Sequence, residues 1–209
     1  MRIIIKLVMI IIIIYNSRIF FKFKEKTMIG IGEKLPEFKL VSVKPGFNDP
    51  EESGESAFEE FSDSSFSGKW KVIYFYPKDF TFICPTEIIE FASINDELEK
   101  KDCILIGGST DNEFCKLAWR REHPGLNKLN HRSFADPQGK LTQELGLLSD
   151  EGVAYRATLI VDTDNAVQHI CVNALDTGRN PQETLRTLES LQAGGLTACN
   201  WKPGQELLG

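Results

Sequence analysis

The chain is predicted to be an α/β protein with a mixed central sheet and helices on both of its faces. Two observations predict it. Runs of β-branched and aromatic residues alternate with segments of helical spacing over most of the chain, with no internal repeat. The part from Met28 onward also has ordinary single-domain length and enough apolar content for one core.

The elements follow in order. Phe38 to Val43 is a short strand, and Gly46 to Gly68 is an acidic, Ser-rich connection with an apolar patch at Phe58 to Phe61. Trp70 to Tyr76 is aromatic and β-branched enough to be a buried strand, which Pro77 ends. From Pro85, a residue suited to a first helical turn, Glu87, Ile88, Ile89, Phe91, Ile94 and Leu98 keep helical spacing. Ile104 to Ile106 is a strand, and a helix carrying Phe114, Leu117, Ala118 and Trp119 follows. Gln138 to Leu145 is a further helix, Tyr155 to Val161 and Ala166 to Val172 an adjacent strand pair, and Pro181 to Leu191 a last helix ended by Gly194-Gly195.

The first 27 residues differ from the rest. Their longest purely apolar run, Leu7 to Tyr15, is too short as a helix of about 1.5 Å per residue to cross a hydrocarbon core of roughly 30 Å. Asn16 to Phe21 lacks the small-residue cleavage site of a signal peptide. Residues 1–27 are therefore expected to be an extension, either a misassigned start or a targeting or anchoring segment. Residues 28–195 form the main domain and 196–209 a C-terminal tail. A net charge of −6 argues against nucleic acid or an anionic membrane as partner. Five cysteines without compact spacing do not make a secreted disulfide framework, and a reducing cytoplasmic compartment fits better.

Chemistry concentrates at Pro77-Lys78-Asp79-Phe80-Thr81-Phe82-Ile83-Cys84-Pro85-Thr86-Glu87. Cys84 is placed where unpaired backbone N–H groups and the positive end of a helix dipole both favour a thiolate. Ionisation alone is a modest gain: a free thiol is already a few per cent ionised at neutral pH, so full ionisation adds roughly thirtyfold at most. A fast thiol catalyst must also stabilise charge on its leaving group. Thr81, whose hydroxyl both donates and accepts, is placed to hold an incoming oxygen near the sulfur. Glu87 stands where a thioredoxin-type Cys-x-x-Cys would need its second cysteine, so any thiol that resolves an oxidised Cys84 must come from far along the chain or from another subunit.

Among the other cysteines, Cys103, Cys115 and Cys171 sit in apolar strand or helix contexts and are expected to be small core residues. Cys199 lies in a tail with no periodic apolar pattern and should be reachable. His123, His131 and His169 share no ligand spacing with the cysteines, which argues against a zinc site. Gly30-Ile31-Gly32 and Gly107-Gly108 lack the further residues that a phosphate cradle needs, so no nucleotide cofactor is implied.

The spacing Pro77-x-x-x-Thr81-x-x-Cys84, with Tyr74-Phe75-Tyr76 before it and Pro85-Thr86-Glu87 after it, closely resembles the active-site motif of the peroxiredoxins. It is most similar to the typical two-cysteine branch and, within it, to the bacterial alkyl hydroperoxide reductases. The likeness continues through Gly108 to Glu113, Trp119 to His123, Phe134 to Asp136 and Arg156 to Asp162.

The resemblance implies a thioredoxin-like fold and a thiol peroxidase that reduces hydrogen peroxide and organic hydroperoxides without cofactor. It casts Cys84 as the peroxidatic nucleophile, Pro77 as its shield, and Arg156 as stabiliser of thiolate and transition state. Glu87 orients Arg156 through a bidentate contact, and Arg179 is a second arginine of the same network. The resemblance also makes Cys199 the resolving cysteine that forms an intersubunit disulfide, although Thr197 and Asn200 depart from the tail patterns of the family. Homodimers, a ring of five of them, and a dithiol reductant such as thioredoxin or a dedicated reductase partner are implied. The missing Tyr-Phe ending and Gly-Gly-Leu-Gly insertion imply resistance to sulfinic acid formation. A one-cysteine peroxidase resolved by a small external thiol and a ring-forming holdase are the alternative classes.

Overall fold

The computed structural model describes residues 27–46, 54–127 and 129–209. The expectations for the N-terminal extension fall, apart from Thr27, outside the described residues. Strands β1 (Lys39–Val43), β2 (Phe58–Ser62) and β3 (Trp70–Phe75) lead into helices α1 (Ile83–Ser93) and α2 (Asn95–Lys100). Then come β4 (Cys103–Ser109), α3 (Glu113–Glu122), β5 (Arg132–Ala135), α4 (Lys140–Glu144), β6 (Arg156–Val161), β7 (Val167–Asn173) and α5 (Pro181–Gln192). The seven strands form one sheet in the order β2-β1-β5-β4-β3-β6-β7. β4 runs parallel to β3 and β5, whereas β6 is antiparallel to β3 and β7, and β1 is antiparallel to β5 and β2, so the sheet is mixed.

Alternation along β3 builds two cores. Val72 and Tyr74 face one side, where Ile88 and Phe91 of α1 and Leu185 and Leu188 of α5 complete a cluster. Ile73 and Phe75 face the other, packing with Phe134, Leu141 and Leu159. This period of two, with helices on both faces, makes β3 an inner strand buried from Lys71 to Phe75. The Gly107-Gly108 pair of β4 serves packing: side chains there would collide with the rings of Tyr74 and Phe134.

Three elements differ from the sequence expectation. Phe58–Ser62 is a strand, not part of a connection; Phe61 faces the core while Glu59 and Glu60 pair with Arg132 and Lys39. β5, four residues long, has no counterpart among the strands expected from the sequence, yet it joins β1 to β4 within the sheet. The helix expected to run unbroken to Leu98 ends at Ser93; Ile94 interrupts it, and Asn95 donates from its side chain to Glu99 (2.9 Å) and to the Asn130 carbonyl (3.3 Å).

Candidate active site

Cys84 is the second residue of α1, and its side chain is buried. The Phe82 side chain provides no cap to the helix, and the Thr81 hydroxyl donates instead to the Lys78 carbonyl at 2.9 Å. The turn from β3 to α1 therefore closes on itself, with Pro77 buried within it. The first-turn amides of α1 thus lie at the helix end that holds Cys84.

Arg156, the first residue of β6, is 4 % exposed, and its Nη1 donates to Cys84 Sγ at 3.5 Å and to Glu87 Oε2 at 2.6 Å. Its Nε donates to the Leu175 carbonyl at 2.7 Å, so the guanidinium is fixed in plane and direction. Burial works against its charge, but the hydrogen bond to Cys84 and the field of Glu87 outweigh that, and the Arg156 pKa is raised on balance. The charge beside the sulfur is permanent.

Glu87 does not clamp Arg156 in the bidentate fashion expected. It shares its two oxygens between two arginines: Oε1 accepts from the Arg179 backbone N–H (3.1 Å) and from Arg179 Nε (2.8 Å). The geometry follows from topology, since Glu87 projects from α1 between the start of β6 and the loop before α5. Arg179 Nη1 also donates to the Ala157 carbonyl and to Thr158 Oγ1 (3.2 Å), and its guanidinium lies over the rings of Phe91 and Tyr74. Two guanidinium charges against one carboxylate leave a net positive charge, which an anionic sulfur or a developing oxyanion at Cys84 would balance.

A second buried network was missed. Lys116 of α3 has a side chain 1 % exposed, and its Nζ reaches Ser109 Oγ (2.7 Å), Tyr76 Oη (3.3 Å) and both carboxylate oxygens of Asp79 (3.3 and 3.4 Å). The expected apolar face of α3 is rotated: Phe114 is 65 % exposed, while Lys116, Leu117, Trp119 and Arg120 are buried. A lysine four residues before Arg120 and three before Trp119 was the available signal, but a polarity-based reading assigns lysines to solvent.

The remaining cysteines sort by environment. Cys103 is fully buried, and burial pushes its thiol up to about 12. Cys115 is only half-buried, contrary to the expected core position, and desolvation followed by the charge of Asp79 pushes its thiol up to about 11. Cys171 is also half-buried, on β7. Cys199 is exposed, in a segment without helix or strand. That segment is nevertheless docked: Trp201 is 5 % exposed, Arg186 of α5 donates to its carbonyl at 3.0 Å, and Ser190 bonds Thr197 at 2.7 Å. The structure thus brings Cys84, Arg156, Glu87 and Arg179 together, puts Thr81 and Pro77 in the adjoining turn, and leaves Cys199 on a separate surface segment. Among the described residues no cluster of histidine, cysteine or carboxylate side chains could hold a metal ion.

The profile of the AhpC/TSA family matches residues 31–170. The chain belongs to the AhpC/TSA family. Alkyl hydroperoxide reductase C of Mycolicibacterium smegmatis is 41% identical over 179 residues, which cover 85% of this chain and 92% of that protein. Peroxiredoxin-2 of Macaca fascicularis is 38% identical over 186 residues, covering 85% and 89%. The solved structure of Mycobacterium tuberculosis AhpC superposes with a TM-score of 0.77 at 37% identity, over 84% of this chain and 100% of that one. A reduced 2-Cys peroxiredoxin of Plasmodium vivax gives 0.76 at 31% identity, over 84% and 91%. The fold of this AhpC/TSA member is thioredoxin-like, and the protein is a thiol-dependent peroxidase, an oxidoreductase with an antioxidant role.

Proposed function

We propose that this peroxidase reduces hydrogen peroxide and organic hydroperoxides at Cys84. The Cys84 thiolate attacks the distal oxygen; the S–O bond forms as the O–O bond breaks, and the departing oxygen takes a proton to leave as water or alcohol. Arg156 stabilises charge as it moves from sulfur to the leaving oxygen, Glu87 and Arg179 hold Arg156 in place, Thr81 orients the peroxide, and Pro77 screens the sulfur. Cys84 is left as a sulfenic acid. Cys199 of the partner subunit then attacks it, forming an intersubunit disulfide and releasing water, and an external dithiol, thioredoxin or a dedicated reductase partner, returns both cysteines to thiols.

The strongest support is the 3.5 Å contact between Arg156 Nη1 and Cys84 Sγ, in which a buried permanent charge is aimed at a nucleophile by a carboxylate 2.6 Å away. The exposure of Cys199 agrees with a thiol that must travel to meet another subunit. A cytoplasmic homodimer, assembled as a ring of five dimers, completes the proposal. Among the described residues no helix is long and apolar enough to cross a membrane.

The experiment is intact mass and non-reducing electrophoresis after one equivalent of peroxide. Wild type should give a disulfide-linked dimer, Cys199→Ser a stable sulfenic acid, and Cys84→Ser neither. A linked dimer that persists in Cys199→Ser would remove the resolving assignment, and unchanged peroxide consumption by Cys84→Ser would remove the nucleophile.

A further inference from the structure

The turn that carries Thr81 contains a backbone conformation that its own residue disfavours. Phe80 has a φ of 55°, the left-handed region, where a bulky side chain is rare and persists only if its surroundings hold it. Those surroundings converge on the residue before it. Asp79 donates its backbone N–H to Asp111 Oδ2 at 2.7 Å, and its side chain, fully buried, accepts from Lys116 Nζ and from Ser109 Oγ at 3.2 Å. Ser109 Oγ also lies 3.1 Å from Asp111 Oδ2, sharing its one proton between the two carboxylates, and accepts the Asp111 backbone N–H at 3.2 Å, so the end of β4 and the start of α3 form one polar clamp around Asp79. On the far side, the Phe80 ring stacks on Trp119, one turn along α3 from Lys116, with centroids 5.6 Å apart. Thr81 follows at once, with its hydroxyl tied to the Lys78 carbonyl.

A buried ion pair is poor evidence of stability, because desolvating both charges consumes most of their attraction. Its value here lies in direction. The pair joins α3, a rigid element, to a turn that has no helix or strand of its own between Phe75 and Ile83. We propose that Lys116 and Asp79 are positioning residues for peroxide reduction: their buried pair holds Phe80 in its left-handed conformation and thereby fixes Thr81 relative to Cys84. The inference rests on Cys84 being the nucleophile. Neither residue touches the sulfur in the structure, so removing the pair should spare the thiol and harm the placement of the peroxide.

The test compares two reagents at the same sulfur. Hydrogen peroxide needs both a thiolate and an oriented oxygen, whereas iodoacetamide needs only a reachable thiolate. Rates are measured on the full chain in the Cys199→Ser background, by mass of the Cys84 peptide, so that modification at Cys115 is not counted. Lys116→Met is the direct variant. The double variant Asp79→Asn, Lys116→Met leaves no lone buried charge and is the one to use if the single variant does not fold. Positioning predicts a peroxide rate lower by about thirtyfold with an iodoacetamide rate within about twofold of the parent. A peroxide rate that stays within threefold, or two rates that fall in parallel, would overturn the proposal. If Cys84→Ser still consumes peroxide at the parent rate, the nucleophile assignment fails first and this inference fails with it.

Discussion

Cys84 and Cys199 are embedded in opposite ways, and the contrast separates the two halves of the proposed cycle. Cys84 is 1 % exposed in the first turn of α1, beside a guanidinium that the Leu175 carbonyl and Glu87 hold against it. Cys199 is exposed, and what holds it is indirect: a hydroxyl contact two residues earlier and a buried tryptophan two residues later. Attack on a peroxide needs a field fixed in advance, because charge must be stabilised as it develops. Disulfide formation needs reach, because the second sulfur has to arrive from elsewhere. One cysteine is served by rigidity and the other by a short exposed arch.

The sharpest way to break this contrast is Arg156→Gln. It should lower the rate of Cys84 oxidation by about two to three orders of magnitude, the usual loss when a preorganised charge donor at the reacting atom is removed. Stopped-flow oxidation with the Cys199→Ser variant as parent reads that step alone. A loss under about fivefold would mean that the helix end, not the arginine, supplies the stabilisation.

Acid tests the buried side of the contrast next. His131 accepts or donates a short 2.6 Å bond with Tyr74 inside the core, and burial followed by the charge of Arg120 lowers its pKa to about 3. The unfolded chain takes up that proton near pH 6.5, whereas the folded chain refuses it until far lower pH. Stability is therefore fully present above about pH 6.5 and falls as the pH drops, by roughly 1 kcal/mol per pH unit from this group. Urea unfolding at pH 7 and pH 5 measures it, and His131→Gln should flatten the difference; an equal slope in that variant would locate the acid sensitivity elsewhere.

The smallest effect is expected in the tail. Trp201→Ala should leave Cys84 oxidation unchanged and slow the intersubunit disulfide by about tenfold, since an unanchored arch presents Cys199 at lower effective concentration. A single-turnover assay resolves the two phases. A faster disulfide would show that the docked tail restrains Cys199 instead of presenting it.

Much of the buried half was legible in the residues. The aromatic and β-branched run from Trp70 to Tyr76, the proline after Cys84 and the helical spacing behind it are local signals, and the strand and the start of the helix lie where they place them, although the helix breaks at Ile94. β5 escaped because four residues are too few for a periodic pattern, and β2 because an edge strand with one buried residue looks like an acidic loop. Lys116 and the division of Glu87 between two arginines escaped for a different reason. Both depend on which side chains converge from distant segments, and a charged residue buried by its partners carries no apolar mark of its burial. The tail's exposed cysteine was legible; the burial of Trp201 beside it was not.

The docking of Trp201 also makes the tail modular. The anchor lies just beyond Cys199, and Cys84, Arg156, Glu87 and Arg179 draw none of their described hydrogen bonds from the tail, so residues 196–209 behave as a module in the architecture. The tail could therefore be swapped whole, and the groups that aim Arg156 at Cys84 would keep every hydrogen bond they make.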